Sequence, residues 1–219
     1  MPLETLIRGL LDGALTTVAV LLLALPLATT LAFTAGLMRL SRYPPLRWLA
    51  VVYVEFFRGT SALIQLYWIY FVLPFFGLRI EALSAGVLAL GLNIGAYGAE
   101  VVRGAVLAVE RGQTEAAIAL NFSPRQRLWR ILMPQALVAM MPPFGNLAIE
   151  LLKATALVSL ITIADLTYRA KSLADMTLQV EQIFGLVLLF YFVMAQLLAL
   201  ATRALERRLG RNMERGGLS

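Results

Sequence analysis

Neither cysteine nor histidine occurs anywhere in the 219 residues. The first absence removes any disulfide framework or thiolate metal site and leaves redox compartment unreadable. The second removes the commonest metal ligand and the side chain best suited to proton transfer near neutral pH. No catalytic and no metal-binding residues are therefore expected. No glycine is followed by lysine, which excludes a phosphate-binding loop of the form G-x-x-x-x-G-K-[ST]. A G-x-S-x-G nucleophile elbow is missing too. Charge is scarce: Asp, Glu, Lys and Arg make up 15% of the chain, against about 25% in soluble domains. There is no internal repeat, no low-complexity linker and no cleavable N-terminal signal pattern, so a single domain spanning 1–219 with a retained first helix is expected.

What the chain has instead is 60% hydrophobic residues, concentrated in long uncharged runs. A bilayer-spanning helix needs roughly 20 apolar residues. Residues 13–38, 59–78, 82–99 and 182–202 carry no charge, and 131–149 with 154–164 form a further run interrupted only by Glu150 and Lys153. An all-α membrane protein with five transmembrane helices is predicted. Its orientation follows from the distribution of cations. Arg39, Arg42 and Arg47, then Arg111, Arg125, Arg127 and Arg130, then Arg203, Arg207, Arg208, Arg211 and Arg215 all fall on one side. Only Arg8, Arg79, Arg169 and Lys171 fall on the other. The N-terminus is expected outside and the C-terminus in the cytoplasm. The net charge of +6 then reflects topology and anionic headgroups of the lipid bilayer rather than nucleic acid.

Three acid and base pairs share one helical spacing: Glu55 with Arg58, Glu100 with Arg103, and Glu150 with Lys153. In each the acid precedes the cation by one turn, the favourable order on a helix face. Glu150 and Lys153 lie well inside the fourth span, where charge is costly and marks a cavity or a partner. They are expected as a buried pair. Gln65, Asn93, Tyr97, Glu100, Asn146 and Thr155 are the other polar groups that could line a pathway near the midplane, although Asn, Gln and Thr also serve as bonds between helices. Pro142-Pro143 should kink or break the fourth span. Gly86, Gly91, Gly95 and Gly98 in the third span permit close helix packing.

One segment is more specific than its composition. Glu115-Ala116-Ala117, Asn121 and Ile131-Leu132-Met133-Pro134 occur at the spacing of the cytoplasmic coupling loop of bacterial ABC-importer permeases, and the loop at about 108–135 resembles it. In that family Gly stands at the place of Asn121 and Leu at that of Met133. Asn best tolerates positive φ after Gly, and Met conserves apolar volume. Further stretches resemble the polar amino acid branch, with its histidine, glutamine, arginine and opine systems: Glu55-Phe-Phe-Arg-Gly-Thr-Ser-Ala-Leu-Ile-Gln65, Asn93-Ile-Gly-Ala-Tyr-Gly-Ala-Glu-Val-Val-Arg-Gly104, Gly112-Gln113, Pro134-Gln-Ala136 and Lys153-Ala-Thr-Ala-Leu157. Ser61 stands where the branch often has Pro, and Ala154 and Ala156 where it often has Asp and Ser. With Ala119-Leu-Asn-Phe122 and residues 150–161, those departures are most similar to permeases for ectoine and hydroxyectoine.

The resemblance implies a type I ABC importer permease fold in a bacterial inner membrane, multi-pass, importing a small polar or zwitterionic solute. It implies a second permease subunit, ABC ATPase subunits that use ATP and Mg, and an extracytoplasmic solute-binding protein; this chain would bind no cofactor itself. Glu115, Ala116, Ala117, Asn121, Phe122, Arg125 and Pro134 would carry ATPase coupling. A secondary transporter of a small polar solute is the alternative, and would show paired broken helices in corresponding halves.

Overall fold

A computed structural model describes residues 3–216, and every regular element among them is helical. Helix α1 runs Leu3–Arg39, α2 Pro44–Gly59 and α3 Ala62–Tyr67, the last extended by a π turn and a 3₁₀ turn to Phe76. Helix α4 is Ala82–Ala108, α5 Arg111–Ala119 and α6 Pro124–Gln126, which leads through a π turn into α7, Met133–Ala154. A 3₁₀ stretch Thr155–Ile161 follows, then α8 Leu166–Thr177 and α9 Val180–Gly216.

Four stretches are long and apolar enough to cross a bilayer unbroken: Leu6–Arg39, Ala82–Ala108, Pro124–Ile161 and Val180–Arg208. The span expected at 59–78 takes another form. It begins at Pro44 and is broken between α2 and α3, whose axes meet at 105°. Thr60 and Ser61 are both extended there, so α2 ends and α3 starts afresh. Of the kink or break expected at Pro142-Pro143, the break is absent, and α7 continues through both prolines. Each ring lies on a side of α7 that this chain leaves uncovered. Irregular geometry sits instead at the two ends of that span, in Arg127–Leu132 and Thr155–Ile161.

The centre is the pairing of α1 with α4, the most extensive helix contact in the molecule. It is close because glycine faces it. A Cβ added at Gly91 would lie 2.7 Å from the Leu27 side chain, at Gly95 2.8 Å from Leu31, and at Gly98 2.6 Å from the Ala32 Cβ. Gly86 faces Val158 instead. The packing role expected for these glycines is therefore met at all four. Val20, Ala24, Ala28, Ala89, Leu90, Leu147 and Leu151 extend this core to α7. Leu6 and Leu10 of α1, Leu166 and Ala170 of α8, and Ile183 of α9 form a separate cluster at one end.

Candidate functional site

The segment between α4 and α7 folds from local rules. Helix α5 ends in a Schellman arrangement, in which the Phe122 N–H donates to the Ala117 carbonyl at 3.0 Å and the Asn121 N–H to Ile118 at 2.8 Å. That closure requires a left-handed residue, and Asn121 takes φ 60°. Helix α6 starts with a capping box. The Ser123 hydroxyl accepts from the Gln126 N–H at 3.3 Å, while the Gln126 side-chain oxygen accepts from the Ser123 N–H at 2.8 Å. The result is two short helices at a fixed angle.

Glu115, Ala116, Asn121 and Arg125 stand exposed on this turn, whereas Phe122 and Pro134 are half-buried. Ala117 differs from its neighbours: it is only 2% exposed. It turns inward, on the helix that packs against Arg127–Leu132, so its small side chain serves the internal fit of the loop rather than an outer face.

The pathway candidates separate into three groups. Asn146, Glu150 and Lys153 are all exposed and recur along one face of α7, in line with Pro142 and Pro143. The expectation of a buried Glu150–Lys153 pair is thus corrected: neither is buried, and no ion pair joins them within 4 Å. Apolarity of a run cannot distinguish a helix face turned inward from one left open for another protein. An open row of amide, carboxylate and ammonium within an apolar stretch is a poor surface for hydrocarbon and calls for protein or water against it.

Gln65, Asn93 and Thr155 form the second group and are buried. The Gln65 amide donates to the Phe57 carbonyl at 2.9 Å and to the Thr60 carbonyl and hydroxyl at 3.2 and 2.7 Å. The Asn93 amide donates to Phe57 at 3.0 Å and to the Gln65 side-chain oxygen at 3.1 Å. Together they satisfy carbonyls freed where α2 breaks from α3. Thr155 donates to the Leu152 carbonyl at 2.6 Å. These three brace helices.

Charge binds the third group. Glu100 accepts from Arg103 at 2.8 Å, the pairing expected from spacing, and also from Arg39. Glu55 lies 3.6 Å from Arg39 rather than on Arg58. The Arg58 guanidinium instead stands 5.4 Å over the ring of Tyr97, whose hydroxyl reaches toward the Arg58 carbonyl. Arg39 was not legible as a partner because 61 residues separate it from Glu100.

Asp165 was also missed. Wholly buried before α8, it accepts from the Tyr168 N–H at 2.9 Å and caps the helix, the role its position before Leu166-Thr167-Tyr168 could have signalled. Burial pushes its carboxyl up to about 6, against the downward pull of the Tyr168 and Thr167 hydrogen bonds. Among the described residues no three acidic side chains converge as a metal site.

Residues 24–214 match the family described as the binding-protein-dependent transport system inner membrane component. The probable amino-acid ABC transporter permease protein y4tF of Sinorhizobium fredii is 46% identical over 200 residues, covering 89% of this chain and 84% of the relative. The L-cystine transport system permease protein TcyB of Bacillus subtilis is 34% identical, covering 91% and 86%. Among solved structures, that of an amino acid ABC transporter with histidines superimposes with a TM-score of 0.87 at 33% identity, over 95% of this chain and 99% of the other.

Proposed function

The chain belongs to the binding-protein-dependent transport system inner membrane component family, and from that premise we propose that it is the permease subunit of an ATP-driven importer of a small polar amino acid. The observation that carries the reading is the open face of α7, where Asn146, Glu150 and Lys153 stand uncovered within the apolar stretch. A zwitterionic amino acid presents one carboxylate and one ammonium, the complements of Lys153 and Glu150. A second permease subunit, like or unlike, laid across this face would enclose the row and keep it from lipid.

Energy comes from outside the chain. Without a phosphate-binding loop, the subunit relies on separate ABC ATPases that use ATP and Mg, and the turn from α5 to α6 is the contact. Arg125 and Glu115 offer charge, Ala116 offers a close approach, and half-buried Phe122 fixes the angle between them. The cation-rich side lies in the cytoplasm of a bacterial inner membrane, with the N-terminus outside. An extracytoplasmic solute-binding protein delivers substrate to the opposite side. The chain forms one permease domain, with its coupling loop at about 108–135.

A second reading narrows the solute to ectoine or hydroxyectoine. It is favoured by Ala154 and Ala156 at positions where the polar amino acid branch often carries Asp and Ser. One experiment addresses both. ATPase activity of the reconstituted complex with its solute-binding protein is measured against a panel of amino acids and ectoines. Stimulation by a polar amino acid supports the first reading, and stimulation by ectoine alone supports the second. Transport that persists without any ATPase subunit would overturn both in favour of a secondary transporter.

A further inference from the structure

At the cation-rich end a groove of about 1000 Å³ runs between the α1–α2 turn, the end of α4, α5 and the π turn before α7. Four guanidiniums line it: Arg42, Arg111, Arg125 and Arg127. None of the four forms an ion pair within 4 Å among the described residues, although Glu115 stands in the same wall. Three segments, at Arg42, at Arg111 and at Arg125 with Arg127, thus bring unneutralised positive charge to one concavity.

The other walls are of opposite character. Leu107, 60% exposed, belongs to the last turn of the α4 span, and Leu132 closes the groove from the end of the π turn before α7. Apolar surface therefore continues from the bilayer into the groove. Tyr43 and Trp129 line it as well, 72% and 52% exposed. Aromatic side chains with one polar atom settle at the level of lipid headgroups. A free anion would meet the cations and leave the apolar wall uncovered. A molecule with an anionic phosphodiester and an acyl chain meets both, since guanidinium pairs phosphate in a two-pronged fit.

We propose that this groove is a binding site for an anionic phospholipid, whose phosphate is held by Arg42, Arg111 and Arg127 and whose acyl chain lies along Leu107 and Leu132. The lipid ties the α1–α2 turn to the coupling segment and so becomes part of the permease's cation-rich surface.

The test uses the complete transporter in phosphatidylcholine bilayers doped with spin-labelled phosphatidylglycerol, the motionally restricted fraction being read by electron paramagnetic resonance. Restricted phosphatidylglycerol should exceed spin-labelled phosphatidylcholine. Arg42→Gln combined with Arg127→Gln should lower the relative association constant roughly thirtyfold, about fivefold for each cation removed. The matched change Arg203→Gln with Arg207→Gln, two exposed cations of α9, should leave it unaltered. Inorganic phosphate should displace no more label than sodium chloride of equal ionic strength.

Equal restriction of the two lipids would overturn the proposal. So would an unchanged constant in the Arg42 and Arg127 double variant, or an equal loss in the α9 control. Displacement by phosphate beyond the salt control would assign the groove to a free anion instead. Loss of ATPase copurification with unaltered lipid restriction would make it a protein contact.

Discussion

Helices α4 and α9 both cross the bilayer, and their compositions run opposite to their burial. Of the four unbroken spans α9 is the most apolar and α4 the least. Yet 67% of the apolar window of α4 is buried within the chain, and only 11% of that of α9. In water the order would reverse. In a bilayer the lipid tails are as apolar as leucine, so apolarity gives a helix no reason to prefer protein. What draws α4 inward is the fit of Gly91, Gly95 and Gly98 against α1 and the hydrogen bonds of Asn93. Leu188, Leu189 and Phe192 of α9 remain uncovered because the solvent there is hydrocarbon. Between these two helices, burial follows close fit and hydrogen bonding rather than apolarity.

The comparison is broken most directly at glycine. Gly98→Leu, where a Cβ alone would come within 2.6 Å of the Ala32 Cβ, should cost about 3 kcal/mol or more and separate α4 from α1. A Cβ added at exposed Gly185 on α9 meets nothing within 4 Å, and Gly185→Leu should change stability by no more than about 0.5 kcal/mol. Thermal unfolding of the two purified variants in one detergent measures both. Equal losses would mean that α9 is as tightly packed as α4.

Leucine sharpens the same contrast. Leu90→Ala in α4, at a fully buried position, forfeits no transfer energy from lipid but leaves a cavity, and should cost about 2 kcal/mol. Leu188→Ala, 74% exposed, removes contacts that lipid replaces and should cost less than about 0.5 kcal/mol. Chemical denaturation in mixed micelles is the measurement. A cost at Leu188 equal to that at Leu90 would show that α9 is covered in the micelle.

The smallest effect concerns the end of α9 that is packed, where Ile183 joins α8 and α1. Asp165 caps α8 there with its carboxyl raised from an ordinary 3.8 to about 6. The folded state binds that proton more tightly than the unfolded chain does. Its contribution to stability is therefore complete below about pH 4 and is lost as pH rises through about 6. Melting between those limits should fall by the equivalent of about 1 to 2 kcal/mol. Asp165→Asn, which keeps the capping oxygen, should flatten the profile, and an unchanged slope would assign the dependence to other groups.

Much of this architecture was legible in the order of residues. Uncharged runs marked four spans because every backbone group in hydrocarbon must bond within its own helix. The glycines of α4 announced close packing, and Asn121 announced a left-handed turn. The break at Thr60-Ser61 was not legible, because nothing in Gly59-Thr60-Ser61 forbids a helix; the amides of Gln65 and Asn93, one of them from another helix, stabilise the open form. At Pro142-Pro143, where a kink or a break was expected, no break occurs, since the helix survives two missing donors on an uncovered side. For the polar groups singled out in the sequence, their type was legible but not the direction in which each side chain points. Glu150 and Lys153 face outward, while Asn93 and Gln65 are spent on backbone carbonyls.

The elbow between α2 and α3 carries a mechanical consequence. Where an interrupted helix is completed by water, its stiffness varies with hydration, because each water exchanges and can leave. Here the carbonyls of Phe57 and Thr60 are held by amides of the protein itself. The corner is therefore braced from within the chain, by amide side chains of α3 and α4, and its closure requires no water.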